Sequence, residues 1–303
     1  MKQFYLSLLL FFSLSVAYGQ QDSQYTQYMY NTMSVNRGYT GTREVLSVIG
    51  LYRAQWVGLE GAPRTFNFAA HTPVGGRSLA NVGLDVTSDN IGASTQKSIA
   101  ANFSYILPLD GREDTRLSFG VRAGVDNLDI DINRLTVADL NDPNLTNLSH
   151  FSPVVGLGSY LYTDNWYLGV STPNLLQTKR YNDVTVATYT NKAHIYVIGG
   201  YVHEINRDLK FKPAFMLKSV SGAPLAVDLS ANFYFNDKFT LGASYRLGSA
   251  VSAIAGFQAS DEITIGYAYD YETTELSRYN SGSHEIFVRF ELWANYRNRF
   301  RCF

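Results

Sequence analysis

The sequence predicts an all-β protein: a single antiparallel transmembrane β-barrel of about 14 strands, with an N-terminal luminal or periplasmic segment. Segments of about ten residues alternate apolar with small or charged side chains at a period of two, as in Leu225–Asn236 and Phe239–Gly248. Charged residues make up only 17% of the 303 residues, whereas about 25% is usual in soluble domains. Aromatic residues reach 14%, which excludes a disordered chain.

The first 19 residues have the form of a secretory signal peptide. Lys2 precedes an apolar stretch from Phe4 to Val16, and Ala17-Tyr18-Gly19 supplies the small residues of a cleavage site before Gln20. The stretch is shorter than the ~20 apolar residues of a spanning helix, so a membrane anchor is the weaker interpretation. We therefore expect export to the bacterial outer membrane, with a signal peptide at 1–19, a plug-like segment at 20–43 and a barrel at 44–303.

Fourteen alternating segments follow the plug-like segment, and turn residues separate them. They cover 45–57, 64–73, 81–88, 96–107, 115–126, 153–163, 165–172, 193–205, 208–219, 224–235, 238–247, 250–259, 262–272 and 284–292. Many connections are short and turn-like, whereas 128–150, 173–191 and 273–283 are long. Short turns at one end with longer loops at the other are typical of outer-membrane barrels.

A soluble β-sandwich is the competing interpretation of the alternation. Fourteen strands are many for one sandwich, and tyrosines near strand ends, in 267–271 and 160–162, suggest the aromatic girdle of a membrane barrel. We expect the polar face to line the lumen, which is too wide for side chains alone to fill at fourteen strands. The charged residues of that face are Asp85, Arg116, Arg122, Asp126, Lys210, Lys212, Lys218, Asp228, Arg246, Asp270, Glu285, Arg289 and Glu291.

Composition also limits the function. The formal net charge is −1, so no basic excess is available to hold a nucleic-acid backbone. The single cysteine, Cys302, excludes an intrachain disulfide and a cysteine-rich metal site. The five histidines show no zinc-site spacing, and we find no nucleophile elbow and no dinucleotide-binding glycine pattern. We expect no enzyme activity, no cofactor and no metal.

Several motifs carry a family resemblance that covers essentially the whole mature chain. They are Gln27-Tyr28-Met29-Tyr30-Asn31, Asn36 with Tyr39 and Gly41, Tyr52-Arg53-x-Gln55-Trp56-x-Gly58 with Gly61-Ala62-Pro63, His71-x-Pro73, Gly169-x-Ser171-x-Pro173-Asn174 and Gly282-Ser283-His284-Glu285. With these motifs the sequence resembles the PorP/SprF family of outer-membrane proteins associated with type IX secretion. It departs from the family pattern at Arg37 and Gly38, where Pro-Ala is usual.

The resemblance implies a non-enzymatic role. Family members resemble partners of secreted cell-surface proteins, often adhesins with a type IX sorting domain, and some support gliding motility. The partners implied for this chain are such a secreted protein, other secretion-system components and outer-membrane lipid. Two further functions stay open: a diffusion channel for hydrophobic or small solutes, plugged by residues 21–43, and a barrel enzyme.

The candidate plug or partner contacts are Asn36, Arg53, Gln55, Trp56, Gly58, Gly61 and Pro63. On a regular strand Arg53 and Gln55 share the lumen face, while Tyr52 and Trp56 share the lipid face. Arg53 is then placed to hold the polar 21–43 segment through a two-pronged contact. The alternative is that Arg53 pairs only with a wall carboxylate such as Asp85.

Overall fold

The computed structural model describes residues 24–75, 79–109, 115–134, 147–176 and 193–292, and strands account for most of them. The strands are β1 Leu46–Ala54, β2 Arg64–Val74, β3 Ala80–Ile91, β4 Ser94–Pro108, β5 Arg116–Ile130, β6 Leu148–Tyr162, β7 Trp166–Thr172, β8 His194–Tyr201, β9 His203–Asn206, β10 Leu209–Val220, β11 Ala226–Phe235, β12 Phe239–Arg246, β13 Ala250–Gln258, β14 Ile263–Glu272 and β15 Ser283–Leu292. The predicted signal peptide, residues 20–23 and residues 293–303 lie outside the described residues.

The strands form one closed antiparallel barrel. Each strand pairs with its sequence neighbours, β1 pairs with β15, and β10 pairs with both β8 and β11. Segments β8 and β9 both pair with β10 and are separated by Val202 alone, so together they form one wall strand. The barrel therefore has fourteen strands, as the alternation predicts, and each strand is hydrogen-bonded on both sides.

Some predicted boundaries are wrong. Strand β1 ends at Ala54 rather than at residue 57, because Trp56 adopts a left-handed conformation with φ of 47° that stops the ladder. Strand β5 continues to Ile130 and β6 begins at Leu148, so the two ends of the predicted 128–150 loop, residues 128–130 and 148–150, are paired strand. Polar pairs extend this ladder, including a hydrogen bond of 2.6 Å from Ser149 Oγ to Asp129.

The two faces of the wall have the predicted chemistry. Large apolar side chains are exposed on the outside, where Phe66, Phe119 and Leu241 have 46%, 51% and 57% of their surface accessible. Most of the predicted lumen charges are buried inside, and Arg116 and Lys212 are half-buried. The prediction is wrong for Tyr160 and Tyr162, which are buried inside the barrel rather than forming part of an outer girdle.

The two ends of the barrel differ in their connections. Strand β1 begins and β15 ends at one end, together with the turns at 163–165, 207–208, 236–238 and 259–262, and we call it the short-turn end. The opposite, long-loop end carries the connections 55–63, 131–147, 173–193 and 273–282. The strands on either side of the three predicted long loops thus meet these loops at the long-loop end, although the short turn at Ser221-Gly222 also lies there.

Helical structure is brief. Helix α1 covers Thr32–Val35, and 3-10 turns cover Arg37–Tyr39, Ile132–Arg134 and Glu275–Arg278. Across the described residues, no helix has the length and apolar character required to span a bilayer.

Candidate functional site inside the barrel

Residues 24–43, here called the inner segment, lie within the lumen. Its side chains are almost all buried, although the segment has little regular secondary structure. Strand β15 contacts the inner segment near both of its ends. Glu285, near one end of the strand, accepts a hydrogen bond from the Thr26 amide, and Glu291, near the other end, binds Arg43. Six residues of strand separate these carboxylates, about 20 Å. The inner segment therefore runs along the barrel from the long-loop end to the short-turn end.

Arg53 lies at the centre of the first anchor. Its Nη2 atom is 2.6 Å from Asp270 Oδ2, and its Nη1 atom is 3.1 Å from Glu285 Oε2. The same Nη1 donates to Thr26 Oγ1 at 3.1 Å, and Thr26 Oγ1 donates to Asp270 at 2.8 Å. The amide of Gln27 donates to Glu285 Oε1 at 2.8 Å. Arg53 thus binds the inner segment and two wall carboxylates at once, but not Asp85.

Asp85 is the centre of a second anchor. Its carboxylate lies 3.3 Å from Arg37 of the inner segment and 2.9 Å from Arg122 of β5, and it accepts from Asn102 at 2.8 Å. Arg37 also donates to the carbonyl of Met33 within the segment.

A third anchor holds the segment at the short-turn end. Arg43 binds Glu291 through two hydrogen bonds of 2.6 and 2.8 Å, the bidentate geometry in which a guanidinium is most selective. The next residue, Glu44, accepts from Arg116 of β5 at 2.7 Å. Arg43 and the adjoining Glu44 therefore tie the short-turn end of the segment to two separate strands of the wall, β15 and β5.

Between the anchors the segment rests on a seat of glycines. A Cβ atom at Gly120 would lie 2.1 Å from the Arg37 carbonyl oxygen, and one at Gly158 would lie 2.2 Å from Asn36 Oδ1. Asn36 uses both ends of its amide, accepting from the Gly38 amide at 2.9 Å and donating to the Ser159 carbonyl at 2.9 Å. Because these glycines have no side chain, the inner segment can lie directly against the backbone of the wall.

Tyrosine rings surround this seat. Tyr39 packs edge-on against both Tyr160 and His71, with centroid separations of 5.6 Å, and Tyr160 stacks on Tyr167 at 5.3 Å. His71 Nδ1 also accepts a hydrogen bond from the Gly41 amide at 3.1 Å, so this histidine contacts the inner segment through both its ring and its nitrogen. The inner segment therefore adds an aromatic core to the lumen, beside its charged anchors.

The remaining predicted site residues form the loop between β1 and β2. Trp56 does not face lipid: its indole nitrogen donates to Glu272 at the rim of the long-loop end, at 2.9 Å. Gln55 is half-buried and its amide donates to the Pro63 carbonyl at 2.9 Å. Gly58 and Gly61 hold φ angles of 102° and 71°, which favour glycine. This block shapes the rim, and of the seven predicted residues only Asn36 and Arg53 have contacts that join wall and inner segment.

The loop is tied to its neighbours by backbone hydrogen bonds. The Val57 amide donates to the Gly282 carbonyl at 2.9 Å, and the Ser281 amide donates back to the Val57 carbonyl at 2.7 Å. The Gly92 amide donates to the Gly61 carbonyl at 2.9 Å. The rim at this side of the long-loop end is therefore one connected surface rather than three separate loops.

Sequence reasoning missed Asp85 with Arg37 and Arg122, the Arg43–Glu291 pair and the glycine seat. The available signal was the repetition of small residues on the inward face of three adjacent strands, at Gly120, Gly158 and Gly169. Within the described ranges, His, Cys, Asp and Glu side chains do not gather in groups of three that could hold a metal ion.

Comparison with known proteins identifies the family. The family model described as type IX secretion system membrane protein PorP/SprF matches residues 17–290. Among solved structures, the chain is similar to the Acinetobacter baumannii outer membrane protein Omp33, with 10% identity, a TM-score of 0.47 and coverage of 82% of this chain and 98% of that one. Salmonella typhi OmpF in complex with daunomycin gives 10% identity, a TM-score of 0.39, and 82% and 98% coverage.

A porin mutant from Rh. blastica is also similar, with 12% identity, a TM-score of 0.34 and coverage of 82% of this chain and 99% of that one. No curated protein matches the chain. The family match covers most of the chain and agrees with the closed barrel, whose outer face is apolar. The chain accordingly belongs to the PorP/SprF family and is an outer-membrane barrel associated with type IX secretion.

Proposed function

We propose that this barrel supports the export or surface attachment of a secreted partner, and that it does so without conducting the partner through its own lumen. The partner class is a cell-surface protein with a type IX sorting domain, such as an adhesin, including adhesins used in gliding motility. Family membership supports the link to secretion. The occupied lumen supports the anchoring role.

The position of the inner segment is the observation that carries this proposal. Arg53, Arg37 and Arg43 connect the segment to the wall at three levels of the barrel. Removing one partner of a buried charge pair typically costs about 3–5 kcal/mol, and displacing the segment separates two such pairs, Arg37 from Asp85 and Arg43 from Glu291. A barrel closed in this way offers its rims and outer wall to a partner, rather than a pore.

We also propose the division of the chain that this role requires. Residues 1–19 act as a cleaved signal peptide, residues 20–43 form the plug, and residues 44–303 form the barrel. The protein has no enzymatic activity in this proposal. A diffusion channel would need the plug to open, and it predicts steady conductance that an anchor does not show.

Affinity purification from detergent-extracted outer membranes tests the proposal. We expect a tagged barrel to retain a large secreted protein, and a strain without the barrel to lose that protein from its surface. The control is a strain that expresses Val251→Ala, an outward-facing change at a strand end with no contact to the inner segment. Normal surface display in the deletion strain would contradict the proposed function.

A further inference from the structure

We infer that the inner segment is threaded with its N-terminal end toward the cell exterior, and that Gln24 at this end forms part of the surface that contacts the exported partner. The second part rests on the proposed function. The threading itself rests on contacts of the described residues and stands without it.

The direction of threading follows from strand β15. Thr26 and Gln27 bind Glu285, two residues from the start of that strand at the long-loop end. Arg43 binds Glu291, one residue from its other end. Glu285 and Glu291, which bind the two ends of the inner segment, lie on the same strand. The direction in which the segment runs along the barrel is therefore fixed.

Burial changes along the segment in agreement with this direction. Gln27 is 0% exposed, Thr26 is 2% and Tyr25 is 7%, and Gln24 is half-buried. Exposure thus rises steadily toward the N-terminal end as the chain approaches the long-loop mouth. At the opposite end, Arg43 is 6% exposed and Glu44 is half-buried, as the chain leaves the lumen to begin β1.

The long-loop end is the exterior end, because outer-membrane barrels place short turns in the periplasm and longer loops outside. The connections 55–63 and 273–282 lie at this end, whereas the turns at 207–208 and 236–238 lie at the other. The mouth beside Thr26 and Gln27 is therefore the one that a protein on the cell surface can reach.

The rim around this mouth exposes apolar and aromatic side chains on connected loops. Val57 and Tyr279 are 39% and 69% exposed there, beyond the ends of the strands, and backbone hydrogen bonds connect the two loops that carry them. Loops held by a rigid scaffold are common sites of recognition. An exported protein with apolar side chains fits this rim, and from there it meets the Gln24 end of the inner segment first.

Cysteine labelling on whole cells tests both parts. Gln24→Cys is placed in a Cys302→Ser chain and treated with a membrane-impermeant polyethylene glycol maleimide. Tyr279→Cys marks the exterior end, and Lys238→Cys, on an exposed turn, marks the short-turn end. We expect Gln24→Cys and Tyr279→Cys to react on intact cells, and Lys238→Cys only after the outer membrane is permeabilised.

Partner retention is measured on the same cells. We expect labelling at residue 24 to lower surface retention of the partner at least several-fold, whereas labelling of Asn133→Cys leaves it unchanged. Asn133 is exposed at the same end but five strands around the wall from β15.

Several results overturn the inference. A Gln24→Cys that is unreactive on intact cells contradicts the threading, and full retention after labelling contradicts the contact. An equal loss of partner retention after labelling of Asn133→Cys also contradicts a partner contact at residue 24. The proposed function is judged separately, by whether deletion of the barrel abolishes partner display.

Discussion

Arg53 and Asp270 form an ion pair of 2.6 Å on the lumen face, and each side chain has only 1% of its surface exposed. The pair spans from β1 to β14 across the intervening strand β15, which supplies Glu285 as a second carboxylate. Thr26 completes the group. One guanidinium thus connects three strands of the wall with the start of the inner segment.

Replacement of Arg53 by alanine is expected to release the N-terminal part of the inner segment. It leaves two buried carboxylates without their cation, at a cost of about 3–5 kcal/mol. Chymotrypsin cleavage after Tyr25, Tyr28 and Tyr30 should increase while heat-modifiable migration of the barrel persists. Arg64→Ala, at an exposed position of β2, is the matched control. Unchanged cleavage would show that Arg53 does not hold the segment.

Asp85 and Arg37 are expected to be energetically coupled. Asp85→Asn alone leaves Arg37 and Arg122 close together without a carboxylate, and should destabilise the folded protein by about 3–5 kcal/mol. Adding Arg37→Gln removes one of these cations and should recover part of the loss, by roughly 1–3 kcal/mol in a double-mutant cycle. Denaturant unfolding of refolded protein in lipid vesicles measures this, and strict additivity would contradict the pairing.

The glycine seat gives a packing prediction. Gly120→Ala places a methyl group against the backbone carbonyl of Arg37, and overpacking of this kind costs about 1–3 kcal/mol. We expect faster proteolysis of the inner segment in a barrel that still folds. Gly50→Ala is the control, since a Cβ atom there meets nothing within 4 Å. Equal proteolysis of both variants would refute close packing at Gly120.

The membrane face is tested by two valines of equal exposure. Val288 lies in the middle of β15 and Val251 near the end of β13, and both are 46% exposed on the outer surface. Arginine at the bilayer midplane of a barrel costs about 2–4 kcal/mol, against about 0–1 near the interface. We expect Val288→Arg to reduce the folded yield in lipid vesicles far more than Val251→Arg. Equal yields would mean that depth in the membrane does not separate these positions.

Much of the fold could be predicted because lipid and lumen impose different side chains on alternate residues. The same rule assigns Arg53 to the lumen once the strand is recognised. It fails for Trp56, because a left-handed residue stops the strand and no alternation pattern shows this. It also fails for Tyr160, since tyrosine suits a membrane interface as well as a lumen lined by other rings.

The lumen contacts of Arg37, Arg43 and Asp85 could not be derived from the sequence alone. Their partners lie 48, 248 and 37 residues away in the chain, in pairs with Asp85, Glu291 and Arg122. Such pairing depends on the register of the closed barrel and on the path of the inner segment, neither of which has a local signature. Glycines at inward positions indicate that another backbone can approach closely. Glycine also occurs in turns and in strand packing, so these positions do not identify the contacts.

Conductance across planar lipid bilayers tests most directly whether the inner segment closes the lumen. The intact protein should insert without opening a steady pore. Deletion of residues 24–43 should leave a wall of fourteen strands around a wide polar lumen, which should conduct. We therefore expect a closed intact barrel and an open deletion variant. A steady pore in the intact protein, with the conductance of the deletion variant, would contradict it.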